Sequence, residues 1–467
     1  MLNDELKKIP AVDKLLLDPA ILKLKETYGS NLITNLVRNV LAKAREEILA
    51  GGHAKDSVQL CVEVVNIINK ITSYGYKPVI NATGIVLHTN LGRAPLGKSL
   101  VNEILPVISG YSNLEFDLKA AKRGKRTGHI SEIIKIITGA DDTEVVNNNA
   151  AAIILTLKTF AEKKEVIISR SELIEIGGSF RIPEIMKASG AHMVEVGTTN
   201  CTTLEDYEKA INKNTRILFK AHKSNYYIQG FTEEVGLKEL SSLAEKYNLI
   251  LMYDIGSGLL KKLDKLMHLD EPDVQSAIKN GADLVTFSCD KLMGGPQAGI
   301  IAGKKDLIAQ LSKSPLMRAF RVDKITIAML SSILKLFLNE DDLYSRVPLF
   351  NMLCRNKEEL FALAQDLQKS LDKFGIKSKI IESKAQCGGG SLPQLEFNSY
   401  AVELDFEGSN KKFVDGLYKK LLRSSTPVLS ILREGNIVFD VLTIQHNEIN
   451  IIAGTIGNCF NELHVEK

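Results

Sequence analysis

Apolar residues recur every three or four positions up to about residue 72, then give way to short, nearly continuous apolar runs. In "NLITNLVRNVLAKAREEILAG", Leu32, Leu36, Val40 and Ile48 share a helical face, charges lie between them, and Gly51-Gly52 supplies the stop. "SVQLCVEVVNIINKI" repeats the helical period and "SYGYKP" breaks it. The pattern predicts a helical N-terminal domain over 1–73. From Val79 to about Asp323, the runs "TEVVN", "EVIIS", "HMVEV", "RILFKA", "LILMYD" and "DLVTFS" read as strands. "NAAAIILTLKTFA" and "LKELSSLAEKYN" read as helices between them. Such alternation predicts an α/β large domain over 74–330 with a mostly parallel sheet. After about Ile325 a long helical stretch leads into mixed strands, a glycine run and helix, which predicts a smaller α+β C-terminal domain over 331–467.

Composition narrows the class. With 467 residues, 45% of them hydrophobic, the chain can build two or three domains. A net charge of +3 demands no polyanionic partner, although a sum over the chain cannot see a local basic patch. Arg38, Lys43, Arg45 and Lys55 give the N-terminal part a modestly basic face, read here as solvated helix surface, with an RNA-contacting module as the alternative. Six cysteines without a C-x-x-C pair fit a reducing compartment, and the histidines show no metal-ligand spacing. There is no signal-peptide pattern and no apolar run long enough for a membrane span. The expectation is a soluble, cytoplasmic protein with no membrane partner.

Ligands of open α/β sheets sit beyond the carboxyl ends of the strands. After "TEVV" come Asn147, Asn148, Asn149 and Ala150 at a helix start, either a plain capped helix or a phosphate cradle built from free N–H groups. After "LILMY" comes Asp254, a cap, a metal ligand or a partner for a protonated ring nitrogen. After "LVTFS" come Cys289, Asp290 and Lys291, then Gly294-Gly295. Taken together, cradle, acid and lysine in this order are the equipment for pyridoxal 5'-phosphate: Asn148, Asn149 and Ala150 for the phosphate, Asp254 for the pyridinium nitrogen, Lys291 for the Schiff base. The glycines after Lys291 are expected to let the backbone approach the cofactor.

"GRAPLGKS", Gly92 to Ser99, also satisfies the phosphate-loop template, which would make an NTP-hydrolysing protein. Against it, His88-Thr89-Asn90 separates the apolar run from Gly92, and Pro95 removes a backbone donor. "IGSGLL" lacks the third glycine of a dinucleotide fingerprint. Arg93, and Arg318 with Arg321 one helical turn apart, are either surface ion-pair residues or a seat for a tetrahedral oxyanion.

"INATGIVLHTNLGRAPL", "SRSELIEIGGSFRIPEIMKASGAHMVEVGTTN", "TFSCDKLMGGPQAGII" and "PLMRAFRVDK", in this order, closely resemble the bacterial selenocysteine synthase (L-seryl-tRNA(Sec) selenium transferase) family, and "IPAVDKLL" resembles its opening. The resemblance implies a fold-type I pyridoxal phosphate enzyme that turns seryl-tRNA(Sec) into selenocysteinyl-tRNA(Sec) with selenophosphate, by loss of water and addition of selenium. It implies Lys291 as the Schiff-base residue, and Arg93, Arg318 and Arg321 as holders of the donor anion. It also implies an N-terminal domain that grips tRNA, and a homo-oligomer built as a ring of dimers with active sites at subunit interfaces. The chain departs from the family at Cys289, where glycine is usual, which would place a thiol near the cofactor. After about Ser399 it is lysine-rich and the likeness weakens. The alternative is a pyridoxal phosphate lyase or transferase acting on a small free amino acid, as in relatives that lack the N-terminal extension. A non-catalytic RNA-binding role is a further one.

Overall fold

The computed structural model describes residues 2–72, 75–176, 180–406 and 411–465. Two compact units emerge, Met1–Pro78 and Val79–Lys467. The boundary expected at 73/74 falls on residues outside the described set.

The first unit is helical: Leu2–Lys8, Val12–Leu16, Pro19–Tyr28, Ser30–Leu49 and Ser57–Thr72. Asp18 accepts from the Ala20 N–H, and Pro19 occupies the first helical position, where its missing donor costs nothing. In Ser30–Leu49 the buried stripe is Ile33, Val37, Val40, Leu41, Ala44 and Ile48, closed by Leu60, Val64 and Ile68 of Ser57–Thr72. Leu32, expected inside, is 55% exposed. The other expected positions hold, Val40 and Ile48 buried and Leu36 partly so, while Ile33 takes the place of Leu32, a choice that periodicity alone leaves open.

In the second unit, a seven-stranded sheet runs in the order Asp142–Val146, Gly299–Gly303, Leu284–Ser288, Ile250–Gly256, Thr215–Ala221, Glu165–Ser169, His192–Val196. All six strands expected from the apolar runs are in it. Their alternate residues sort to opposite faces: Ile167, Leu218 and Leu251 pack in one cluster, while Val166, Ile168, Phe219 and Met252 pack in another. Burial on both faces is why the inner strands read as continuous apolar runs, whereas the edge strand His192–Val196 is fully buried only at Val196. The seventh strand, Gly299–Gly303, was not expected. It is antiparallel to both neighbours, whereas the other pairings are parallel. The connection before it, residues 289–298, is shorter than the dozen or more residues a parallel crossover needs, so the chain turns back as a hairpin.

A five-stranded sheet follows the order Ile80–Ala82, Val428–Arg433, Asn436–Asp440, Ser391–Leu404, Ser378–Gly388. Its edge strand Ile80–Ala82 comes from far earlier in the chain and pairs in parallel with Val428–Arg433. Beyond it, Val86 and Leu87 donate to the Gln386 and Cys387 carbonyls at 3.0 and 2.7 Å. The segment from 80 to 87 is therefore pinned to the C-terminal sheet before it delivers Arg93 to the site.

Candidate active site

Three strand ends and one returning hairpin build the site. Asn148 caps the helix Asn149–Ala161, its Oδ1 accepting from the Ala151 N–H at 2.8 Å. The N–H groups of Asn149 and Ala150 belong to the first turn and have no partner within the helix. A Cβ on Gly299 would come within 2.2 Å of the Asn148 carbonyl oxygen, so glycine there is what lets the hairpin carrying Lys291 close against the helix start.

Asp254 lies near the end of Ile250–Gly256, where the register against Leu284–Ser288 slips between Asp254 and Gly256. Its Oδ1 accepts from Asn149 Nδ2 at 2.8 Å and Thr286 Oγ1 at 3.2 Å. Burial pushes the Asp254 carboxyl up, opposed by the Asn149 donor and the charge of Lys291. Lys291 is 5% exposed. Burial pulls its ammonium pKa down, against the carboxylates of Asp254 and Asp290. Arg93 sits at φ 61°, and one Nη donates to Asp290 Oδ2 at 2.8 Å, while its buried Nε has no partner.

Arg93, Asn148, Asn149, Ala150, Asp254 and Lys291 line one cavity of about 140 Å³. Arg318 and Arg321 do not line it. The helix expected to align them runs only Leu316–Ala319, because the chain must turn to let Asp323 cap the next helix, Lys324–Leu336. Arg321 instead shares Glu115 with Arg123 and Arg126, at 3.4 Å from its own Nη1. The backbone beside these arginines is nevertheless joined to the site, since the Asn147 N–H donates to the Phe320 carbonyl at 3.0 Å.

Two local expectations change. Gly294 and Gly295 do not line the cavity. Their missing Cβ atoms make room for Val347 and for Met293 with the Cys289 carbonyl, so the glycines fold the hairpin loop onto protein. Cys289 is fully buried in the core, off the cavity wall, and burial pushes its thiol pKa well up. The phosphate-loop template is spent on local structure: the Arg93 and Ala94 N–H groups donate to the His88 and Asp290 carbonyls, and Lys98 is exposed at the start of Lys98–Ser109.

His222, Ser224 and Gln297 also line the cavity and were not anticipated. His222 directly follows Thr215–Ala221, and its N–H donates to the Asp254 carbonyl at 2.9 Å. The strand-end rule that located Asp254 would have located it too.

The donor set fits pyridoxal 5'-phosphate. Free first-turn N–H groups suit a phosphate, the orphaned Asn149 Oδ1 and Arg93 Nε show polar capacity not used within the chain, and a buried acid faces a buried lysine. Fold and site together define a fold-type I pyridoxal phosphate enzyme. The fold is shared with D-glucosaminate-6-phosphate ammonia-lyase, at a TM-score of 0.56 and 17% identity, covering 85% of this chain and 99% of that one. The chain belongs to the L-seryl-tRNA selenium transferase family: residues 79–445 match that family, and residues 6–45 match the selenocysteine synthase N-terminal family. It is 44% identical over 453 residues to the L-seryl-tRNA(Sec) selenium transferase of Aquifex aeolicus, covering 97% of this chain and 98% of that protein. The enzyme of the same name from Alkaliphilus oremlandii is 42% identical over 464 residues, covering 97% and 98%.

Proposed function

We propose that the chain converts seryl-tRNA(Sec) to selenocysteinyl-tRNA(Sec) with selenophosphate as donor. The observation that carries the reading is a buried lysine opposite a buried, hydrogen-bonded aspartate beside a capped helix start, in a chain of this family. Lys291 would hold the cofactor covalently, Asp254 its ring nitrogen, and Asn148, Asn149 and Ala150 its phosphate. When bound, pyridoxal phosphate supplies an electron sink that lets the serine α-proton depart. Lys291 Nζ would receive that proton, and burial favours the neutral amine this requires. Asp254, held by Asn149 and Thr286, presents its carboxyl on the cavity wall.

In net terms the serine Cβ–O bond and the donor Se–P bond break, a Cβ–Se bond forms, and the oxygen ends on phosphorus as phosphate. No oxidant or reductant is consumed. Arg93 offers a guanidinium on the cavity wall for the donor anion. Arg318 and Arg321 are proposed for the same anion, supported by the backbone link from Phe320 to Asn147, next to the cradle. The unit Met1–Pro78 is proposed to bind tRNA, and the rest to divide into the cofactor domain and a smaller C-terminal domain. A homo-oligomeric ring of dimers is part of the proposal, supported by exposed Leu105, Tyr111 and Leu118. All six cysteines are free, which supports a cytoplasmic setting. No helix among the described residues is long and apolar enough to cross a membrane.

The test supplies seryl-tRNA(Sec) and selenophosphate to purified, cofactor-loaded protein and looks for the selenylated product, with borohydride fixing the cofactor on Lys291. Turnover of free serine without tRNA would favour the small-molecule alternative instead.

A further inference from the structure

A second cavity, of about 620 Å³, adjoins the cofactor site, and His222 lines both. Two other cavities on its scale, around Gly139–Asp141 and around Arg355, share no lining residue with the cofactor site.

Its charge pattern is selective. Both lysines on its wall are already committed: Lys220 binds Glu172 Oε1 and the Val235 carbonyl at 3.0 Å each, and Lys223 pairs with Glu234. Glu233, Asp270 and Glu271 also line it, and among the described residues none of the three pairs with a lysine or arginine. Beside His222 and His268, three carboxylates without a lysine or arginine partner disfavour a phosphate or selenophosphate and suit a ligand that donates hydrogen bonds. Glu271 makes the stronger demand. It is 2% exposed, and its Oε1 has no hydrogen-bond partner although His222 Nε2 lies 3.3 Å away. A buried carboxylate oxygen left so is costly unless a ligand completes it. Tyr226 adds an aromatic wall held in place, since its hydroxyl donates to the Ser171 carbonyl.

We propose that this cavity is the subsite for the 3′-terminal nucleoside of the aminoacylated RNA, its ribose hydroxyl donating to the Glu271 carboxylate, with Asp270 beside it and the base against Tyr226. The inference rests on the seryl-tRNA reading. In a seryl ester only the carbonyl carbon separates the serine α-carbon from the ribose oxygen. A serine amine at Lys291 therefore places the ribose in the adjoining space. The nucleoside itself carries no phosphate charge, which suits this wall, while the donor anion is left to the arginine side. Aromatic side chains stack on single-stranded bases in general.

The experiment uses the full-length holoenzyme and two stable probes: the amide of serine with 3′-amino-3′-deoxyadenosine, and plain serinamide. Both are measured as inhibitors of seryl-tRNA(Sec) conversion and by the change they cause in cofactor absorbance. The nucleoside conjugate is expected to bind at least about tenfold more tightly than serinamide, as a hydrogen bond to a charged acceptor allows. Glu271→Gln, and separately the exposed Asp270→Asn and Tyr226→Leu, should weaken the conjugate and leave serinamide unchanged. Asp270→Asn and Tyr226→Leu keep the test decisive if Glu271→Gln fails to fold. Equal affinity of conjugate and serinamide in an enzyme that converts seryl-tRNA(Sec) overturns the subsite and leaves the reaction standing. Absence of any conversion by the loaded wild type overturns the reaction itself.

Discussion

The protonation of Lys291 is set by opposed influences, and burial is the larger. It disfavours the ammonium, Asp254 and Asp290 favour it, and the result lies below the ordinary lysine value. A lowered value means that the free amine appears at lower pH. Capture of added pyridoxal phosphate by cofactor-free protein should therefore rise with pH and level off below the range of a solvent-exposed lysine. Asp254→Asn removes the foremost charge that raises the value, so the midpoint should move lower still. A stopped-flow pH series on both proteins checks this, and an unchanged midpoint in the variant would contradict it. Cys289 gives a contrasting expectation. Its thiol is in the core, so Cys289→Ala should leave the cofactor spectrum unchanged and cost about 1 kcal/mol of stability, read by denaturant titration. That Asn148, Asp254 and Lys291 meet at one cavity was legible in the sequence because each lies within three residues of the end of an apolar run. His222 was equally legible in principle. The separation of Arg318 and Arg321 from the cavity was not, since it depends on a helix that stops at Ala319 to accommodate the next cap.

At the scale of elements, the site depends on how closely three backbones approach. Gly258 has φ 81°, and a Cβ there would come within 2.0 Å of the Ser288 carbonyl oxygen, immediately before the Cys289–Ala298 loop that bears Lys291. Gly258→Ala should cost more than about 2 kcal/mol, combining left-handed strain with a clash against backbone. It should also weaken cofactor retention by displacing the hairpin from Asp254. Thermal unfolding and cofactor absorbance measured together test both effects; normal stability in the variant would mean that the loop can yield. The sequence disclosed the parallel strands because burial on two faces writes long apolar runs. It did not disclose Gly299–Gly303, where glycines bracket only three apolar residues, or the pairing of Ile80–Ala82 with Val428–Arg433. Those features arise from chain reversal and from contacts between distant segments, which local periodicity does not encode.

For the whole molecule, the two compact units each carry a separate hydrophobic core. The core of Met1–Pro78 draws on Leu15, Ile33, Val37, Leu41, Leu60 and Val64. The cores of the second unit contain no residue before Ile80. Every residue proposed to bind the cofactor lies in the second unit. Cofactor chemistry and tRNA recognition should therefore be separable. A protein comprising residues 79–467 should fold and acquire the cofactor absorbance of the full chain, with Lys291 still fixed by borohydride. Its affinity for tRNA should fall by an order of magnitude or more, because basic surface near Arg38, Lys43 and Arg45 would be gone, and its salt dependence of binding should become shallower. Filter binding across a salt series, together with absorbance titration, reads both halves of the expectation. Undiminished tRNA affinity would move recognition to the catalytic unit. Loss of the cofactor signal in a truncated protein that still unfolds cooperatively would tie the first unit to the active site.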